Sequence, residues 1–157
     1  MRFILKLTFV IFVLIFLALP VSARVRQGEW AAGLNYPGLG LRYMCTDNFG
    51  LEVRGQVATD IFVGGLRGNY YFNPRYNTVF FTGLEADYLT FKGEESKGQG
   101  MAGEAFLGLE YFFQKRWSLQ VDGGPALISL KDRDSSLSVQ GVEYVVNFGI
   151  NWYFNKR

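Results

Sequence analysis

Residues 142–154 read V-E-Y-V-V-N-F-G-I-N-W-Y-F. Every even position is apolar: Val142, Tyr144, Val146, Phe148, Ile150, Trp152 and Phe154. The odd positions are Glu143, Val145, Asn147, Gly149, Asn151 and Tyr153. A period of two is the signature of a β-strand whose faces meet different surroundings. At ~3.3 Å per residue such a run reaches roughly 40 Å, long for a soluble strand and suited to a tilted strand crossing a bilayer. The segment is read as the closing strand of a transmembrane β-barrel.

The preceding chain repeats the pattern. Alternation predicts strands over 28–36, 39–45, 49–58, 61–72, 78–91, 101–113 and 117–130. Pro37-Gly38, Thr46-Asp47-Asn48, Thr59-Asp60, the run around Pro74 and Gln114-Lys115-Arg116 turn them, and polar loops fill 92–100 and 131–140. Gly123-Gly124-Pro125 predicts a bulge in the seventh strand. The fold class is all-β: an eight-stranded antiparallel up-and-down transmembrane β-barrel. With both chain ends in the periplasm, the two polar loops face the cell surface.

Residues 1–23 have the form of a secretory signal peptide: Arg2 and Lys6, an apolar run over 7–19, then Pro20 and the small-residue site Val21-Ser22-Ala23. Cleavage there leaves a barrel domain over 24–157. Without Arg2 and Lys6 the 16 basic residues fall to 14, equal to the 14 acidic ones, so nothing favours nucleic acid as a partner. Cys45 is the sole cysteine and there is no histidine. An intrachain disulfide is therefore impossible, and no zinc-ligand spacing, nucleophile motif or phosphate-binding glycine loop is present. Neither an enzyme nor a cofactor is expected.

A soluble ligand-binding barrel would show the same alternation with its apolar face turned inward. Three features favour the membrane. Aromatic residues end the apolar faces at both rims, with Trp30, Phe72, Phe113, Trp117 and Phe154 at one and Tyr36, Tyr88 and Tyr144 at the other. All six lysines fall in the leader, loops, turns or terminus, and the leader delivers the chain to the compartment where such barrels assemble.

In these respects residues 28–154 resemble the small eight-stranded bacterial outer-membrane barrels, the class of the OmpA transmembrane domain and OmpX. The resemblance implies a Gram-negative outer-membrane location with lipid as a partner. It also implies recognition of the closing strand, through Phe148, Ile150, Trp152 and Phe154, by the barrel-assembly machinery. The chain departs from the class by continuing to Asn155-Lys156-Arg157, where the class usually stops on an aromatic.

An eight-stranded barrel is just wide enough for its own side chains. The polar faces supply Arg42, Arg54 and Arg67 from strands two to four, and Glu85, Asp87, Glu104, Glu110, Asp122 and Glu143 from strands five to eight. A charge network across the lumen is expected among Arg42, Arg54, Arg67, Glu85 and Asp122, with Arg54 and Arg67 holding Glu85 and Asp122. The surplus acids Asp87, Glu104 and Glu143, near Glu94 and Glu95, should form an acidic mouth. Asp87 and Glu104 could share a proton or a divalent cation; a solvated rim is the plainer expectation. The functional expectation is a non-enzymatic barrel with a structural or surface-interaction role and an unknown surface partner. The alternatives are a narrow porin-like channel or carrier for small solutes, or a soluble periplasmic ligand-binding barrel.

Overall fold

The computed structural model describes residues 25–92, 97–132 and 138–154; the leader, Glu94, Glu95 and the last three residues lie outside them. Eight strands follow in order: β1 (Trp30–Tyr36), β2 (Leu39–Met44), β3 (Phe49–Ala58), β4 (Ile61–Phe72), β5 (Thr78–Lys92), β6 (Lys97–Gln114), β7 (Trp117–Asp132) and β8 (Ser138–Phe154). Each pairs antiparallel with its sequence neighbour, and β1 pairs with β8 to close the barrel. Over residues 148–154 of β8, closure satisfies edge groups that an open sheet would leave bare.

Partners traced round the wall from Ala32 run through Leu41, Val53, Leu66, Ala86, Gly103 and Leu127 to Val142, whereas Ala32's own partner on β8 is Trp152. The ladder thus closes with a stagger of ten residues. A stagger of that size tilts the strands by roughly 40°.

The alternation sorts the faces as the sequence implies. Leu84 is 70% exposed and Phe148 51%, while Arg42 is 1% and Arg67 0% exposed. Leu109 is partly exposed and points the same way as Leu84. Apolar side chains therefore cover the outside, and the lumen is filled by charged and amide side chains together with inward aromatics such as Phe81, Phe106 and Phe112. The rim at which the described chain begins and ends carries an aromatic belt. Trp30 packs 4.8 Å from Tyr43, Trp152 5.2 Å from Phe154 and 6.3 Å from Trp117, centroid to centroid.

Two expectations need correction. The β7 ladder keeps one register through Gly123, Gly124 and Pro125 against both neighbours, so no bulge lies there. Pro125 lacks an N–H, and pairing with β6 lapses between Ala126 and Gly123 without any slip. A Cβ at Gly124 would strike the Ala105 carbonyl, so this absence of side chain admits the close strand approach. Among the described residues the register shifts instead beside the turn, between Phe112 and Gln114. The strands flanking the polar loops also run longer than expected, taking in Lys92, Lys97, Lys131 and Ser138. Ladder hydrogen bonds do not require apolar alternation, so a hairpin continues past the point where its apolar pattern stops.

Candidate functional site

The lumen divides into two halves. The half nearer the described chain ends is organised by Arg42, directly opposite Glu52 in the β2–β3 register. Its Nε and Nη2 lie 2.8 and 2.6 Å from Glu52 Oε2. Nη1 donates to Glu110 at 3.1 Å, to Tyr153 at 3.3 Å and to the Tyr71 hydroxyl, while Nη2 donates to Gln120 at 2.6 Å. Glu110 in turn accepts from the hydroxyls of Tyr71 (3.1 Å), Tyr153 (2.9 Å) and Ser118, and from Asn151 (3.2 Å). Desolvated charges are tolerable only when paired and hydrogen-bonded in this way. The result is a plug of side chains across the barrel.

Gln120 joins this plug to the next layer. Its carbonyl accepts from Arg42 and Asn151, and its amide donates to Asp122 at 2.8 Å. Asp122 also receives Asn147 at 3.0 Å and Arg67. The Arg67 guanidinium carbon lies 3.5 Å from the centroid of the Phe106 ring, a stacked cation–π contact. Phe81 and Phe106 point inward and meet edge to face at 6.0 Å. Room for Phe81 comes from Gly108, where a Cβ would overlap both that ring and Asp122.

Beyond Arg67 the lumen opens into a cavity of about 200 Å³, bordered by Arg54, Gln56, Glu85, Asp87, Glu104 and Asn147. Arg54 Nη1 contacts both Glu85 oxygens, at 3.0 and 3.1 Å, and Arg67 Nε lies 3.5 Å from the same carboxylate. Glu104 stands directly opposite Glu85 in the β5–β6 register. It is 6% exposed, and its Oε1 is buried without a hydrogen-bond partner among the described residues. Among those residues, no three carboxylates or thiols converge as a metal-binding group would.

No protein-family model and no curated protein matches this chain. Among solved structures it is similar to the N-terminal β-barrel domain of Pseudomonas aeruginosa OprF. Identity is 16%, the match covers 82% of this chain and 98% of that one, and the TM-score is 0.49.

The structure thus brings Arg54, Arg67, Glu85 and Asp122 together and places Arg42 apart, in the plug. Asp87 and Glu104 border the cavity, whereas Glu143 is exposed and stands outside it. The expected sorting of arginines to strands two to four and acids to five to eight leaves out Glu29 and Glu52. Both are buried on inward faces of the arginine-bearing side. Glu52 shares its face with Arg54, and parity alone would have found it. Parity also points Tyr71 and Tyr153 inward, but their hydroxyl contacts depend on strands distant in sequence. Phe148 and Trp152 are exposed on the outer wall, while Ile150 and Phe154 are partly covered.

Proposed function

We propose that this chain is a bacterial outer-membrane β-barrel, non-enzymatic, with a structural or surface-interaction role in the envelope. One observation carries the reading: the outer wall is apolar at mid-strand while charges such as Arg42, Glu52, Arg67 and Glu110 are enclosed. That is the reverse of a water-soluble barrel and the arrangement a lipid solvent favours. The leader over 1–23 would be removed on export, and Phe148, Ile150, Trp152 and Phe154 would present the closing strand to the assembly machinery. The test is insertion: purified chain refolded with phosphatidylcholine vesicles should float with them and resist alkaline extraction. Leu84→Arg, on the outer wall at mid-strand, should lower folding stability in vesicles by about 2–4 kcal/mol. A chain that stays in the aqueous fraction with its lumen network intact would overturn the reading.

The porin-like alternative draws on the cavity at the loop end, whose acids suit a small cation. Against it stands the plug around Arg42. Planar-bilayer recording separates the two: a plugged lumen gives no steady current, and a sustained cation-selective conductance favours the channel.

A further inference from the structure

The wall of this barrel is not of even height. β1 has 7 residues and β2 has 6. At ~3.3 Å per residue and a tilt near 40°, β1 climbs about 17 Å, less than the ~25 Å apolar belt of an outer-membrane barrel. β8 keeps its outward apolar alternation from Phe154 to Val142, about 33 Å on the same geometry. Its last partner on β1 is Phe148, facing Tyr36. Beyond that, residues 138–147 pair with β7 on one side and, among the described residues, with no strand on the other. Part of this bare edge falls at the height of the apolar belt, where an exposed sheet edge is untenable unless something polar reaches it.

This notch has two sides. Inward lies the cavity with Asp87 and Glu104. Arg54 is engaged by Glu85, and Arg67 by Asp122 and Glu85. Asp87 contacts Glu85 and Glu104 contacts Asn147, so these four acids outnumber the two arginines by two, and Glu104 Oε1 is buried without a hydrogen-bond partner among the described residues. Outward lies a groove of about 500 Å³ bordered by Leu34, Tyr36, Leu39, Val57, Phe148 and Ile150. Tyr36 and Val57 are among the most exposed apolar side chains of the barrel. Gly55 borders both spaces, and the hairpin tip adjoins both, Pro37 lining the cavity and Gly38 the groove.

An acidic recess beside an apolar groove, with the short hairpin tip at the edge of both, is the shape of one kind of ligand. We infer that the gap above the β1–β2 hairpin is a lateral binding site for a membrane amphiphile with an ammonium head group. The head enters the cavity to meet Asp87 and Glu104, and the alkyl chain lies along the outer groove in the outer leaflet. An anionic head would face two unbalanced carboxylates, and an uncharged one, although a hydroxyl could donate to Glu104 Oε1, would leave that surplus charge unneutralised.

The proposal rests on the membrane reading, and the two fail separately. Flotation with vesicles tests the reading. The site is tested by native mass spectrometry of the folded chain released from maltoside micelles doped with dodecylamine, dodecanol or dodecyl sulfate. The expected result is one retained dodecylamine and neither of the other two. Glu104→Gln and Asp87→Asn should each weaken retention about tenfold, the loss of one charge-assisted contact. Val57→Arg, which alters only the groove, should weaken it as well, while methylamine, which has no chain, is not retained. Unheated gel mobility confirms that each variant is folded. Equal retention by Glu104→Gln, or equal retention of all three probes, would overturn the site. So would dimers cross-linked through residues 138–147 with no amine bound, since the edge would then be completed by a second copy of the chain.

Discussion

The two halves of the lumen contain the same kinds of residue and use them differently. Around Arg42 every nitrogen of its guanidinium and every carboxylate oxygen of Glu52 and Glu110 has a partner, and Glu110 alone accepts from five donors. Around Arg67 and Arg54 the accounting is incomplete: Arg67 Nε and Nη1 and Glu104 Oε1 lack hydrogen bonds among the described residues. A fully satisfied buried network rigidifies, whereas one with spare atoms sits where water or a ligand can complete it. The first half therefore holds the barrel closed and the second leaves a receptive space.

Substitutions should separate the halves, and the largest effect belongs to the plug. Arg42→Leu strands Glu52 and Glu110 in a dry interior and should lower stability by about 3–5 kcal/mol. Urea titration in detergent, followed by tryptophan fluorescence, reads it. Arg67→Leu should lower stability by about 2–3 kcal/mol, because Asp122 retains Gln120 and Asn147 while losing its charged donor. Unchanged urea resistance would mean that the Arg67–Asp122 pair contributes nothing net.

A contrast of like substitutions follows. Glu110→Gln removes the charge that faces Arg42 and puts an amide where hydroxyls now donate, so it should lower stability by about 2 kcal/mol. Glu104→Gln, in the open half, should change stability by less than about 1 kcal/mol, since no partner is lost at Oε1. Equal losses for these two glutamines would erase the distinction between plug and cavity. At the small end, Glu143→Gln should leave the urea midpoint unmoved, because Glu143 is exposed and borders no part of the cavity.

Much of the fold was legible from the chain because strand alternation is local. Parity along β5 alone separates Phe80, Leu84 and Tyr88 from Glu85 and Asp87, and the same rule divides β8 down to Phe154. The boundaries at the polar loops were less legible, since pairing outlasts the apolar pattern there. The misplaced bulge has a comparable origin: Gly-Gly-Pro marks a break in hydrogen bonding, and only the neighbouring strands decide whether the register slips.

The sequence by itself determined the strand number and the face most residues take, because period-two geometry ties a side chain's direction to its position, although Glu143 proved exposed and Glu29 and Glu52 joined the enclosed charges. Only the tertiary structure decided which enclosed charges meet. Arg42 joins Glu110 across 68 residues and Arg67 joins Asp122 across 55, contacts set by the ten-residue stagger and not by any local spacing. The low rim at Pro37 is likewise invisible until the tilt and height of β8 stand beside the short β1, because a gap is a relation between neighbours.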